Sequence, residues 1–264
     1  MATSTTGRSR PAGLARVITV VLIASGVALV LAIVLVIAGR NPLQVASALV
    51  TGALGTPRAV GETLIRAVPL LVIAVSLAPS LRARIFNLGA PGQVALGALA
   101  ATLVTISLPD APSLLVLLLA ALAGVLGGVA AAVVPAILRS RYEINEIITT
   151  IAMNFLAAYL LLYLLNGPML AEGANSPQSE PFPTSAWLPV ILPDTRANLG
   201  LLFAIFIVVA LMFFDRTKQG YRMRVFAANQ DLSRQMGVRP RRTVFLLFLL
   251  AGAGAGFAGW LQVA

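Results

Sequence analysis

The sequence predicts an all-α protein: a polytopic integral membrane helical bundle of about seven transmembrane helices with its N-terminus in the cytoplasm. Three observations carry that expectation. The 264 residues are 59% hydrophobic and 11% charged, with a mean hydropathy of +0.93, far from ordinary soluble usage. Apolar runs long enough to cross a bilayer, or nearly so, recur at residues 17–38, 64–81, 90–108, 114–138, 147–165, 199–214 and 244–264. Fifteen of the nineteen basic residues then fall in alternate connections.

The elements follow in order. Residues 1–16 carry Arg8, Arg10 and Arg16 and read as a cytoplasmic tail ahead of one transmembrane domain over 17–264. The first run holds 22 uncharged residues, too long for a signal-peptide core, and reads as a retained span. Glu62 and Arg66, four apart where the second span begins, are expected to pair locally. Gly124 and Gly128 in the fourth span, like Gly252 and Gly256 in the seventh, have the spacing that lets helix backbones approach. The run at 199–214 is short and must borrow flanking residues. The connection 167–198 is Pro-rich, holds Glu172, Glu180 and Asp194, and offers Trp187 as an interfacial anchor on the outer side. Only Arg40, Arg58, Arg66 and Arg196 lie toward that side, whereas the inner connection 215–242 alone holds eight basic residues.

The same composition excludes several functions. Without cysteine or histidine, the chain lacks thiolate chemistry and the commonest general base and metal ligand. Its nine acids show no metal-binding spacing within an apolar span, so no cofactor or catalysis is expected in this chain. The net charge of +10 is distributed as a topology signal, facing membrane lipid rather than nucleic acid.

Two segments interrupt the apolar pattern. Residues 86–93, Phe-Asn-Leu-Gly-Ala-Pro-Gly-Gln, put Asn87, Gly89, Gly92 and Gln93 between two apolar runs. Hydrocarbon cannot satisfy the backbone of such a break, so at membrane depth it must be buried in protein or line a wet cavity. A short cytoplasmic turn after Arg82 and Arg84 is the plainer alternative. On the fifth span, Asn145, Glu146, Thr149, Thr150 and Asn154 recur at three- to four-residue spacing and form a polar face that should turn inward. Such uncharged amides and hydroxyls suit a neutral, hydroxyl-rich ligand. Alternatively, Asn145 and Glu146 cap the helix and the threonines bond back to it. Within the inner connection, residues 229–238 fit a short helix capped by Asn229 or Asp231, with Gly237 in the left-handed position after its last turn. Its thin apolar content favours docking on a cytoplasmic partner over anchoring in lipid.

Residues 229–238 resemble the coupling segment of ATP-binding-cassette importer permeases, matching at Asn229, Asp231, Arg234, Gly237 and Val238. Residues 86–93 resemble the Phe-Asn-Ile-Gly-(Ala/Val)-Glu-Gly-Gln signature of the nucleoside and simple-sugar branch, served by basic-membrane-lipoprotein receptors. That branch lies within the branched-chain amino acid and ribose class. The run Asn145-Glu146-Ile147-Ile148-Thr149-Thr150 with Asn154 is similar to the same branch's Asn-Glu-Val-Ile-Thr-Thr…Asn. The resemblance implies a permease subunit in a bacterial plasma membrane. It would pair with a second permease subunit, cytoplasmic ATPase subunits that hold ATP and magnesium, and a substrate-binding lipoprotein. It also implies a substrate pathway at Asn87, Gly89, Gly92, Gln93, Thr149, Thr150 and Asn154, and ATPase coupling at Asn229, Asp231, Arg234 and Gly237. Pro91 departs from the family's Glu, and the chain is expected to be short at its C-terminus relative to the family. Two rival readings are a secondary carrier, for which the spans lack midplane ionisable groups, and a membrane scaffold that does not transport.

Overall fold

The computed structural model describes residues 12–183 and 186–264, which form two compact units, Met1–Val60 and Gly61–Ala264. Tail residues 1–11, assigned above to the cytoplasm, lie outside the described residues, and so does the side chain of Asp231. Helices dominate throughout. Six are long and apolar enough to cross a membrane, and a bent pair makes a seventh, among the described residues.

The first unit contains α1 (Ala12–Ile37) and α2 (Pro42–Leu54). From Val17 to Ile37, α1 is apolar on every side, and its side chains are almost all exposed, as expected of a span whose solvent is lipid. The spacing of long apolar runs does not reveal α2, which has only 13 residues. Its start is nevertheless encoded locally. The Asn41 side chain accepts from the Leu43 N–H at 2.9 Å, and Pro42 supplies a preset φ at the first helical position.

The second unit is built from α3 (Pro57–Arg82), α4 (Ala90–Ser107), α5 (Ser113–Tyr142), α6 (Glu146–Leu165), α7 (Gly200–Phe214), α8 (Lys218–Ala228), α9 (Gln230–Gln235) and α10 (Pro240–Val263). Its centre is the close packing of α4, α5 and α10. Lipid offers no hydrophobic drive for helices to associate, so dispersion across close backbones has to hold them together. The glycines expected to serve this purpose do so. A Cβ on Gly97 would come 2.5 Å from the Gly256 Cα, and one on Gly128 would strike the Gly252 carbonyl. Around this junction α3 contributes Val68 and Val72, and the Ser80 hydroxyl donates to the Leu247 carbonyl on α10 at 3.2 Å. An aromatic cluster of Phe203, Phe257 and Trp260, with centroids 5.0–6.3 Å apart, ties α7 to α10.

Two local expectations are corrected. Glu62 pairs with Arg196 (3.7 Å) of the outer connection, not with Arg66, because the loop folds back onto α3. At 15 residues and about 22 Å, α7 is not extended into a longer straight span, since the chain bends by 72° into α8. The short helix expected over 229–238 is present as α9, and a further helix, α8, precedes it in the same connection.

Replacing Gly256 by Val should lower the melting temperature of the detergent-purified chain by roughly 10 °C, the effect of about 3 kcal/mol of overpacking. Gly26→Val, with nothing within 4 Å of its added Cβ, should leave that temperature unchanged. The topology can be read with cysteines at exposed positions, a criterion that rules out the fully buried Ser233. A cysteine replacing Ser176 should label with an impermeant reagent in intact cells, and one replacing Gln219 only after permeabilisation.

Candidate functional site: the break before α4 and the coupling segment

The break runs along α6 rather than across a loop. At its start, the Phe86 N–H donates to Glu146 Oε1 at 3.4 Å. Further on, Asn154 Nδ2 donates to the Leu88 carbonyl at 2.8 Å, and the Gly92 N–H donates to Asn154 Oδ1 at 2.9 Å. Asn154 lies eight residues beyond Glu146, about 12 Å along a helix. Thus α4 begins alongside the middle of α6, a 20-residue helix long enough to cross a bilayer. The break is packed in protein against the side of α6.

Its polar groups are paired internally. Asn87 and Gln93, 4% and 1% exposed, exchange both amide hydrogen bonds at 3.3 Å, while Asn87 Oδ1 also accepts from the Gly89 N–H at 2.9 Å. Close packing demands the small residues here. A Cβ on Gly89 would meet Asn87, Gln93 and Thr150 at 3.0–3.3 Å, and one on Gly92 would meet Asn154 at 2.9 Å. The fifth span's polar face is divided in use. Thr149 and Thr150 donate back to carbonyls of their own helix, and Asn145 caps it by accepting from the Ile147 N–H at 2.9 Å. Glu146 and Asn154 are the members of that face whose side chains bond to the break. Glu146, 7% exposed, binds the Arg139 guanidinium at 3.1 Å through its other oxygen and so fastens the ends of α5, α6 and the break together.

Immediately after the break, Pro91 lines a cavity of about 610 Å³ between α4, α6, the end of α10 and residues 178–182 of the outer connection. Its wall is mostly apolar, with Thr102 deep inside and Gln178, Glu180 and Gln262 among its polar groups. That volume falls within the roughly 300–1,000 Å³ typical of small-molecule sites.

On the other side of the break lies the coupling segment. The Thr217 side chain caps α8, and α9 ends in a Schellman turn: the Gly237 N–H donates to the Arg234 carbonyl at 3.1 Å, and the Val238 N–H to that of Ser233 at 2.9 Å. Gly237 takes φ +76°, the left-handed value expected of it. Asn229 is extended between the two helices, and its carbonyl accepts from the Ser233 N–H at 3.0 Å. The turn at Gly237 delivers Val238 into a buried cluster with Phe226, Ala83, Ile85, Ala136, Leu247 and Phe248. Sequence reasoning missed Phe226 and Ile85 as functional candidates. A signal for Phe226 existed, since Met223, Phe226 and Ala227 share one face of a basic helix. A second tie links Arg82 at the end of α3 to Asp215 at the α7–α8 bend, at 2.6 Å.

A bundle of six or seven helices of membrane-spanning length, with a basic connection packed against the residues before the break, defines a multi-pass membrane protein. The chain belongs to the branched-chain amino acid transport system / permease component family, whose pattern matches residues 59–264. It is 37% identical to the glucose ABC transporter permease protein of Haloferax volcanii over 215 residues, 77% of this chain and 56% of that one. Against the nucleoside ABC transporter permease protein of Lactococcus lactis it is 29% identical, covering 86% of this chain and 65% of the relative. For the guanosine ABC transporter permease protein of Bacillus subtilis the figures are 27%, 88% and 67%. The chain thus spans between about half and two thirds of the length of these relatives. No solved structure matches it.

Asn154→Leu removes two hydrogen bonds to backbone groups of the break and should destabilise the chain by about 1–3 kcal/mol. Thr149→Val, losing only a bond to its own helix, should cost less than about 1 kcal/mol in the same chemical denaturation assay. Gly237→Val should add strain of about 1–2 kcal/mol at the turn and weaken co-purification of the cognate ATPase, with membrane insertion intact.

Proposed function

We propose that the chain is a permease subunit of an ATP-driven importer in the plasma membrane of a bacterium, forming part of the pathway for a nucleoside or simple sugar. The observation that carries the reading is a juxtaposition. Ile85, in the cluster with Phe226 and Val238, and Pro91, in the cavity wall, are six residues apart, with Asn87 between them and its partner Gln93 two residues beyond Pro91.

On this reading, residues 215–242 are the lever. Cytoplasmic ATPase subunits, which bind ATP and magnesium, engage the surface around Asn229, Asp231, Arg234 and Gly237 and displace α8 and α9. Phe226 and Val238 carry the displacement to Ile85, and the break shifts against Asn154. The pathway wall comprises Asn87, Gly89, Gly92, Gln93, Thr149, Thr150 and Asn154, none of which lines the cavity beside Pro91 itself. An amide pair with 3.3 Å bonds can exchange a partner for a ligand hydroxyl without exposing a charge. The substrates named for the relatives, glucose, nucleosides and guanosine, share neutral, hydroxyl-bearing chemistry. A second permease subunit and a substrate-binding lipoprotein complete the assembly.

The test is uptake by the full complex with its cognate partners, alongside a substrate-stimulated ATPase assay. Asn87→Ala and Gln93→Ala should each slow uptake about tenfold, equivalent to about 1.4 kcal/mol, with assembly unchanged. Phe226→Ala should retain ATPase binding but lose the stimulation of hydrolysis by substrate and receptor. Wild-type uptake in both amide variants would remove them from the pathway, and intact stimulation in Phe226→Ala would remove the lever.

A further inference from the structure

The α7–α8 bend creates a cleft that the transport reading does not use. It has a volume of about 430 Å³ and is lined by Arg216, Lys218, Arg222 and Arg224, with Tyr221 and Met236 supplying apolar surface. All four cations are exposed, and among the described residues none has a carboxylate partner. The nearest acid in sequence, Asp215, is already bound to Arg82 at 2.6 Å. Four unneutralised cations around one concavity create a site for a phosphate group.

The depth of the cleft identifies the source of that phosphate. On α7, Leu202, Ile205, Phe206, Val209, Met212 and Phe213 are exposed at three- and four-residue spacing, forming one continuous apolar stripe. The stripe ends at the cleft, where the Arg216 guanidinium lies 5.8 Å from the Phe213 ring centroid. A cation over the last lipid-facing ring of a span sits where acyl chains give way to headgroups. Tyr221 and Met236, each 53% exposed, continue the apolar edge around the rim. We propose that this cleft binds the headgroup phosphate of an anionic phospholipid, with its acyl chains lying along the α7 stripe.

The site needs neither the ATPase nor the substrate, so its test stands apart from that of transport. The full-length chain, purified in mild detergent, is incubated with equal amounts of phosphatidylglycerol and phosphatidylcholine, and retained lipid is read by native mass spectrometry. Selective retention of phosphatidylglycerol is expected. It should fall roughly fivefold for each cation removed, given the usual strength of a basic residue at an anionic surface. The variants are Arg216→Gln/Arg222→Gln and, separately, Lys218→Gln/Arg224→Gln, each checked for folding by circular dichroism. Arg141→Gln, an exposed cation outside the cleft, should retain lipid like the wild type. Equal loss in Arg141→Gln would reduce the effect to overall charge and overturn the site. Unchanged retention in both double variants would also overturn it, and would leave the cations to an acidic protein surface. Displacement by excess inorganic phosphate, but not by chloride at equal ionic strength, would reassign the cleft to a soluble phosphate.

Discussion

A backbone amide inside a bilayer has no water to bond with, and this one constraint shapes the whole second unit. Between α3 and α4 the chain leaves the helix and then begins a new one about 12 Å along α6, where its free groups find protein partners. Asn154 supplies both an acceptor and a donor, and Glu146 receives the Phe86 N–H. The Asn87 and Gln93 amides complete each other. Remove that internal satisfaction and α4 could not start where it does. Neither the cavity beside Pro91 nor the glycine junction behind it would then have a wall.

The glycine junction answers the same constraint from the opposite direction. Satisfying the break fixes α4 against α6, but it leaves α4, α5 and α10 to associate without hydrophobic help. Their solution is proximity: Gly97, Gly128, Gly252 and Gly256 bring backbones so close that a single added carbon would collide with the facing helix. Rigidity at this junction makes the movable parts meaningful. The coupling segment is held more lightly, through one apolar cluster and the exposed Arg82–Asp215 bridge, which in water contributes little on its own.

Sequence made local chemistry legible and distant pairing opaque. Asn87, Gln93 and the glycines between them stand out because no lipid-facing helix would contain them, and Gly237 stands out because its left-handed turn has a short-range signature. Asn41-Pro42 carried an equally clear helix start, but α2 is too short for a search tuned to spans of about 20 residues. The ion pair of Glu62 could not be read the same way. Spacing along α3 favours Arg66, whereas the observed partner, Arg196, arrives from a loop more than a hundred residues later. The contact between Phe226 and the residues before the break is hidden for the same reason. Threonine hydroxyls on α6 were ambiguous in principle, since a helix offers its own carbonyl as an acceptor whenever no outside donor competes.

The division of polar groups on α6 also bears on the kind of solute such a wall can accept. Thr149 and Thr150 spend their hydrogens inside their own helix, so they present methyl groups and oxygen lone pairs, not free donors. Asn154 is committed to two backbone groups, and displacing it would leave both unsatisfied. Only the Asn87–Gln93 pair can open without orphaning more than the one amide N–H of Gly89. Each freed amide then offers one donor and one acceptor, the same combination that a hydroxyl presents in return. A charged solute would gain little there, because no counter-ion lies in the break and Glu146 is already held by Arg139. On the proposed reading, such a wall suits neutral solutes that carry hydroxyls, because of how the break closes its own hydrogen bonds.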